Sequence, residues 1–188
     1  MKNSNNYDLY LIIHGCPQNA ADLIPQNKHW TGWLEQKLRE QGLEAYAPVM
    51  PVSWEPDYQR WKKVLEEYKV TENSLLIGHS CGAAFLVHWL LDKGKKVKKL
   101  ILVAPAKTSI KEDRRKNFYD FKLSKDASRI ADEIVIFISN DHESMLESLE
   151  LYKKSLKPRV IKLENKKHFI PFQMGTNEFP ELLNEVLG

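Results

Sequence analysis

Short apolar runs alternate along the chain with longer segments whose apolar residues recur at helical spacing. Six of the runs are rich in leucine, isoleucine and valine, and most are continuous rather than alternating. Continuous apolar runs are typical of strands that are covered on both faces of a sheet. The predicted strands are residues 9–13, 44–47, 74–77, 100–103, 134–138 and 160–163.

The segments between these runs have the pattern of amphipathic helices. In the first of them, Trp30, Trp33, Leu34 and Leu38 lie near one helical face. Because strands and helices alternate along the whole chain, the sequence predicts an α/β fold, a three-layer sandwich with a mostly parallel six-stranded sheet. The predicted helices are residues 29–41, 58–68, 81–91, 143–156 and 178–187.

No repeat or interdomain linker interrupts this alternation, so we expect one domain over residues 1–188. The least regular segment is 107–132, which is either one broken helix or a loop with a short turn. With 43% hydrophobic and 28% charged residues, the chain has the composition of a globular protein. Its net charge of +3 is small. The densest basic run, 93–99, is interpreted as a solvated connection, so we expect no nucleic-acid partner.

Cysteine content and hydropathy bear on the compartment. The two cysteines, Cys16 and Cys81, make neither a disulfide framework nor a zinc-binding pattern. No apolar run approaches the roughly 20 residues that span a bilayer, and the first eight residues lack the apolar core of a signal peptide. We therefore predict a cytoplasmic protein that has no membrane partner. A protein partner is not indicated.

The clearest candidate for chemistry is the sequence Gly78-His79-Ser80-Cys81-Gly82, which joins a predicted strand to a predicted helix. In this context G-x-S-x-G forms a sharp turn that strains the serine backbone and leaves no room for side chains two positions before and after the serine. The turn exposes the serine oxygen and places the N–H of Cys81 at a helix N-terminus, where it stabilises developing negative charge. The alternative is a tight turn without chemistry.

A nucleophilic serine needs a base, and the base needs an orienting acid. When G-x-S-x-G stands between a strand and a helix, the acid and then the histidine follow later in the chain, each after a further strand. Asp141 follows the predicted strand 134–138, and His168 follows the predicted strand 160–163. We predict that Ser80, Asp141 and His168 form a catalytic triad. Glu143 is the alternative acid, in which case Asp141 would be a helix N-cap.

A second oxyanion donor is expected on the loop after the first strand, which begins "HGCPQN" at His14. Gly15 permits a tight turn there, and the backbone N–H of Cys16 would face the nucleophile. The alternative is an ordinary glycine turn. Neither cysteine occupies the central position of the motif, so we expect both to act through their N–H groups rather than through sulfur.

The other histidines have structural interpretations. His29 and His88 fall within helical patterns, and His79 is expected to pack beside the nucleophile. Convergence of His14, His79 and His168 on a metal ion is an alternative, but no pair has a metal-ligand spacing on one element. We predict that the protein uses no metal and no cofactor.

Several further motifs resemble landmarks of one superfamily. They are "LIIHG" (11–15), "HWTGWLEQKL" (29–38), "PVMP" (48–51), "LIGHSCGA" (76–83), "VAPA" (103–106), "SND" (139–141) and "KKHF" (166–169). Together they resemble the α/β-hydrolase superfamily, and most of all its small lidless branch that includes the retinoblastoma-binding serine hydrolases. The resemblance implies that the first strand is central, beside the second and third. It also implies hydrolysis of an ester, thioester or small amide. Two features depart from it: Lys167 stands where glycine often precedes the histidine, and the acid loop reads Asp-His-Glu.

The predicted function is therefore that of a serine hydrolase that cleaves a small carboxylic ester, thioester or amide through an acyl-enzyme on Ser80. The alternative is a binding protein on a hydrolase scaffold with weak or vestigial activity, and a third interpretation is acyl transfer to an acceptor other than water. The region 104–133 holds about 30 residues, too few for a lid domain of roughly 50. Its Phe118, Tyr119 and Phe121 either line a shallow pocket opposite Trp54 or pack on the sheet.

Overall fold

Six strands form one sheet in the structure, a computed structural model that describes residues 7–107, 115–124 and 126–188. Within this part of the chain, the strands are β1 (Tyr10–Ile13), β2 (Ala45–Tyr46), β3 (Leu75–His79), β4 (Val97–Val103), β5 (Ala131–Ile138) and β6 (Arg159–Lys162). Their order across the sheet is β2-β1-β3-β4-β5-β6, and every neighbouring pair is parallel. The predicted α/β architecture is confirmed.

The first strand lies between the second and the third, as the resemblance implies, but it is not central. Only β2 separates β1 from the edge of the sheet, and β3 and β4 occupy the middle. Because parallel strands carry their following loops at one common edge, the loops after β1, β3, β5 and β6 all leave the sheet on the same side. These loops hold the candidate site residues.

Two strands begin three residues earlier than the apolar pattern indicates. β4 starts at Val97 and β5 at Ala131, and both extensions contain charged residues. The side chain of Lys99 is only 5% exposed, and its ammonium lies 3.1 Å from a carboxylate oxygen of Glu133 and 2.6 Å from one of Glu185. Because these pairs neutralise the buried charge, charged residues occupy strand positions that the hydrophobic pattern does not recognise.

Helices flank the sheet on both sides. They are α1 (Trp30–Arg39), α2 (Tyr58–Leu65), α3 (Cys81–Lys93), α4 (Glu143–Leu156), α5 (Pro171–Met174) and α6 (Pro180–Leu187). Short 3-10 turns are found at Ala20–Asp22, Gln26–Lys28, Lys116–Tyr119 and Ala127–Ile130. Five of the helices were predicted from periodicity. The remaining helix, α5, has four residues, which are too few to show a period. No helix in the described ranges is both long and apolar enough to cross a membrane.

Successive strand residues contribute to two separate apolar cores. In β5, Ile134 and Ile136 face the core formed with α2, α3 and α4, whereas Val135 and Phe137 face the core formed with α1 and α6. Since both faces of the sheet are covered, every position of a strand can be apolar, which explains the continuous runs in the sequence.

The described part of the irregular segment 107–132 contains two of the 3-10 turns; residues 108–114 and 125 lie outside it, so the choice between a broken helix and a loop stays open there. Its aromatic residues pack inward. The Phe118 ring lies 5.2 Å from that of Trp61 and 6.2 Å from that of Phe85, and Phe121 stacks on His88 at 4.8 Å. Of the two alternatives for these rings, inward packing fits Phe118, which is 5% exposed. It packs against helices α2 and α3.

Candidate active site

Ser80 occupies the single residue between the end of β3 and the start of α3. Its backbone has φ 53° and ψ −117°, a left-handed conformation that residues with a side chain rarely adopt. A Cβ atom at Gly78 would lie 2.5 Å from the Cα of Ala83, and one at Gly82 would overlap the main-chain carbonyl of His14. Glycine is therefore required on both flanks, as the motif predicts.

The turn at Ser80 is tied to the neighbouring strand. Its N–H donates to the carbonyl of Val103 at 2.9 Å, and its carbonyl accepts from the N–H of Ala106 at 3.2 Å. The backbone of Ser80 is thereby held on both sides by β4 and the loop that follows it. These bonds offset the cost of a strained conformation, which is about 1–3 kcal/mol.

The three side chains predicted to form a triad lie in one hydrogen-bonded chain. The hydroxyl oxygen of Ser80 is 2.9 Å from Nε2 of His168, and Nδ1 of His168 is 2.5 Å from a carboxylate oxygen of Asp141. The Asp141 side chain is 5% exposed and that of His168 is 21% exposed. The acid is therefore shielded from water, while the base and the serine can reach a bound substrate.

Two opposing effects act on the acid. Burial of the Asp141 carboxyl raises its pKa, but hydrogen bonds from His168 and from the N–H of His142 outweigh burial, so the pKa lies below its usual value. An ionised Asp141 accepts a proton-bearing Nδ1 and leaves the lone pair of Nε2 for Ser80. The N-cap of α4 is His142 rather than Asp141, and Glu143 is the first residue of that helix. The geometry therefore favours Asp141 as the acid over Glu143, and Asp141 is not the N-cap of α4.

The loop that carries His168 is anchored on both sides of that residue. The N–H of His168 donates to the side chain of Gln173 in α5 at 2.9 Å. The carbonyl of the next residue, Phe169, accepts from the indole N–H of Trp30 at 2.8 Å, and the Phe169 ring is fully buried against Phe179. Helix α5, which periodicity did not predict, thus supplies one of the groups that orient the base.

His79, one residue before the serine, makes a further contact with the base loop. Its Nε2 lies 2.8 Å from the carbonyl of His168, and because a carbonyl only accepts, this nitrogen carries the proton. Burial lowers the pKa of His79 well below its usual value, and a positive charge on His168, when that ring is protonated, lowers it further, so the His79 ring is neutral. Packing beside the nucleophile was predicted, whereas the hydrogen bond to the base loop was not.

His14 is committed to the loop after β1 rather than to a metal. Its Nδ1 donates to the carbonyl of Gly15 at 2.7 Å, and its Nε2 accepts from the N–H of Met50 at 2.9 Å. Both ring nitrogens of His168 are also engaged, by Asp141 and Ser80. Among the described residues no group of three or more histidine, cysteine, aspartate or glutamate side chains is arranged to hold a metal ion.

The loop after β1 passes directly beside the nucleophile. A Cβ atom at Gly15 would lie 3.2 Å from the Cβ of Ser80 and 2.9 Å from Nδ1 of His79. Cys16 follows Gly15 on this loop, and Cys81 is the first residue of α3. The backbone N–H groups of Cys16 and Cys81, the two predicted oxyanion donors, therefore belong to a loop and a helix N-terminus that meet at Ser80.

These same two residues are joined by a disulfide, with their Cα atoms 5.8 Å apart. The sequence, which shows no disulfide framework, did not predict this single bond. The bond joins residues 65 positions apart, so spacing along the chain gives no indication of it. Sheet register does: Ile13 of β1 pairs with Gly78 of β3, and each cysteine lies three residues beyond its member of that pair. Knowledge of which strands pair would therefore have predicted that the two cysteines lie close together.

A parallel sheet with a glycine-flanked serine between strand and helix defines an α/β hydrolase fold. Residues 10–186 match the model of a family described as "Serine hydrolase". The chain belongs to this family. The more specific resemblance to the retinoblastoma-binding serine hydrolases stays a prediction.

Individual relatives agree with this assignment. The chain is 31% identical to YdeN of Bacillus subtilis (strain 168) over 97 residues, which are 50% of this chain and 48% of that protein. The sequence match thus spans about half the length of this curated relative. The solved structure of the B. subtilis ydeN gene product superposes with a TM-score of 0.80 at 20% identity, covering 95% of this chain and 96% of that one.

Two more distant structures share the fold. Est1E from Butyrivibrio proteoclasticus, solved with ferulic acid bound, has a TM-score of 0.63 at 14% identity and covers 99% of this chain and 89% of its own. The RedJ thioesterase of the prodiginine pathway in Streptomyces coelicolor has a TM-score of 0.58 at 13% identity, with coverage of 96% and 85%.

Lys167, the residue before His168, has a backbone conformation whose cost in stability can be tested. Lys167 has φ 48°, in the left-handed region that favours glycine, which accounts for the glycine often found at this position in the superfamily. We expect Lys167→Gly to raise the free energy of unfolding by up to about 1 kcal/mol, because relief of the left-handed strain exceeds the entropy that glycine adds to the unfolded chain. Urea denaturation measures the change.

Lys154→Gly is the matched control. Lys154 is an exposed residue inside α4, where φ is negative, so the same replacement should lower stability by about 1 kcal/mol. A loss of stability in Lys167→Gly as large as in the control would contradict the proposed strain.

Proposed function

We propose that this chain hydrolyses small carboxylic esters or thioesters through an acyl-enzyme on Ser80. The observation that carries the proposal is the hydrogen-bonded chain from Ser80 through His168 to Asp141. A serine hydroxyl in such a chain can be deprotonated as it attacks, and the strained turn directs it toward solvent at the edge of the sheet.

In the proposed mechanism, Nε2 of His168 accepts the proton of Ser80 while the serine oxygen attacks the carbonyl carbon. Asp141 holds the ring and stabilises the imidazolium that forms. The N–H groups of Cys81 and Cys16 bind the oxyanion. His168 then protonates the leaving alcohol or thiol, and water releases the acid from Ser80 by the reverse steps. These steps require no metal and no cofactor.

We propose that the acyl group is short, because the region 104–133 is too short for a lid domain that would enclose a long acyl chain. A cavity beside Asp141 has a volume of only about 10 Å³, roughly the space of one water molecule. Ala104, Ile138 and Met145 contribute to its lining, but Ser80 and His168 do not, so it lies behind the acid rather than at the nucleophile. On the other side, the segment 48–56 is anchored at the loop after β1, since the N–H of Met50 donates to His14. That segment includes the half-buried Trp54. We propose that Trp54 forms part of the wall of the substrate site that lies opposite Asp141.

Distant structural relatives support an acyl substrate without naming it. One is an esterase-like protein with ferulic acid bound, and another is a thioesterase by name. At 14% and 13% identity they show the shared fold, so the choice between ester and thioester rests on assay.

The compartment in which the protein works determines whether Cys16 and Cys81 are thiols or a disulfide. The cytoplasmic location predicted from composition stays a prediction, and it bears on the disulfide. A reducing cytosol keeps most protein thiols free, so an enzyme in that compartment would work with Cys16 and Cys81 as thiols. An oxidising compartment would maintain the bond between them.

The first experiment identifies the nucleophile. A fluorophosphonate probe should label the wild-type chain on the peptide that contains Ser80, and Ser80→Ala should lose both the label and ester turnover, because the hydroxyl of Ser80 is the one that is hydrogen-bonded to His168 in the described structure. Mass mapping of the labelled peptide gives the site. Undiminished labelling of the variant would place the chemistry on another residue, and a wild-type chain that is never labelled would favour a binding protein.

A second experiment assigns the acid. Asp141→Asn should lower kcat by about 10³–10⁴-fold, because an amide stabilises neither the correct tautomer of His168 nor its protonated form. Glu143→Gln removes a nearby carboxylate that makes no such contact, and it is the matched control, which should keep most of the activity. Steady-state kinetics on p-nitrophenyl acetate measure both. If the change at Glu143 were the more damaging, the acid would be misassigned.

A third experiment measures the preferred acyl length. Each CH₂ group that the site buries contributes about 0.8 kcal/mol, so kcat/KM should rise over the first few carbons and stop rising once the acyl chain extends from the open site into water. We expect p-nitrophenyl acetate and butyrate to be cleaved much better than the palmitate. An ester series from short to long acyl chains gives the profile, and a maximum at the long end would require a deep acyl tunnel.

A further inference from the structure

We propose that the Cys16–Cys81 disulfide is a positioning cross-link of the oxyanion hole, and that opening it with a dithiol slows the chemical step. The inference rests on the proposed function, because an oxyanion forms only if Ser80 attacks a carbonyl. Its experimental readouts are separate from those that identify the nucleophile.

The bond connects the two residues whose N–H groups are the proposed oxyanion donors. Cys16 lies on the loop after β1, and Cys81 begins α3 after β3. An oxyanion hole needs its donors about 2.7–3.1 Å from the developing oxyanion, so the separation of the two N–H groups must be fixed. A covalent link that holds the two Cα atoms 5.8 Å apart fixes that separation.

The two donors are otherwise supported very unequally. Cys81 is fully buried and belongs to a helix of thirteen residues. Cys16 is partly exposed, lies outside any helix or strand, and is followed by Pro17, which has no N–H to bond. A guanidinium nitrogen of Arg115 donates to the Cys16 carbonyl at 3.2 Å. The disulfide therefore transfers the rigidity of α3 to the loop that carries the weaker donor.

Access to solvent determines how the bond opens. A thiolate of an external dithiol attacks the sulfur of the partly exposed Cys16, the S–S bond breaks, and Cys81 leaves as a thiolate that takes up a proton. The helix N-terminus at Cys81 stabilises that leaving thiolate. The second thiol of the reductant then displaces Cys16, so two electrons and two protons pass to the protein and a cyclic disulfide is released.

A positioning role differs from that of a simple covalent staple. A staple stabilises the fold by constraining the unfolded chain, so its loss would lower Tm and leave kcat unchanged in the molecules that remain folded. A positioning cross-link acts on a charge that exists only in the transition state, so its loss lowers kcat with little change in KM. Removing one oxyanion donor outright costs about 10²–10³-fold. Because opening the bond loosens a donor without removing it, we expect a loss of about tenfold.

The experiment compares the full chain in its oxidised and reduced forms. Dithiothreitol reduces the protein and is removed under argon before p-nitrophenyl acetate is added. Alkylation followed by mass measurement counts the free thiols. Since the chain has two cysteines, the reductant has no other disulfide to open. The inhibition constant of phenylboronic acid, which places an oxygen in the oxyanion hole, is measured on the same samples, and Tm and circular dichroism monitor the fold.

A double variant, Cys16→Ser with Cys81→Ser, lacks the bond under all conditions. We expect its kcat to match that of the reduced wild type and to be insensitive to dithiothreitol, whereas reoxidation should restore kcat in the wild type alone. The inhibition constant of phenylboronic acid should rise in parallel with the loss of kcat, and KM should change less than kcat.

Three results would overturn the inference. The first is two free thiols in the air-oxidised protein, and the second is an equal or higher kcat after reduction. The third is unfolding of both the reduced wild type and the double variant, which would make the bond a staple of the fold. An oxidised wild type that neither reacts with the fluorophosphonate probe nor turns over ester would instead contradict the proposed function.

Discussion

The chain must turn from a strand into a helix at one residue, Ser80, and the rest of the site depends on this constraint. The left-handed backbone at that residue allows no Cβ at Gly78 or Gly82. Without side chains there, the first turn of α3 can approach β3, and the end of β1 can approach α3. The close approach of β1 brings Gly15 against the nucleophile. Backbone strain at one position is therefore the reason that three elements meet within contact distance.

Hydrophobic pattern predicts most of this fold because each covered strand reads as an apolar run and each helix has one apolar face. It fails where a polar group is satisfied by tertiary contacts. Lys99 extends β4 because Glu133 and Glu185 neutralise it, and those partners are distant in sequence. It also fails for α5, whose four residues are too few to show a period.

The site residues also fall into those that the sequence predicts and those that it does not. Ser80, Asp141 and His168 can be read from a motif and from the order of loops after strands, because parallel strands bring those loops to one edge. The groups that hold them in place cannot be read in this way. Gln173 bonds the backbone of His168 through a side chain on a helix that has no sequence signal. The disulfide depends on the pairing of β1 with β3, which no local pattern contains.

The residues on either side of the nucleophile therefore have different partners. The residue before Ser80 is His79, whose ring holds the carbonyl of His168 and thus the loop of the base. The residue after it is Cys81, whose sulfur holds Cys16 and thus the loop of the second proposed oxyanion donor. Because the turn fixes the directions of all three consecutive side chains, Ser80 is aligned with His168 and with the N–H groups proposed as oxyanion donors by one rigid backbone segment. The variable positions of G-x-S-x-G are, in this chain, the positions that connect the nucleophile to the rest of the site.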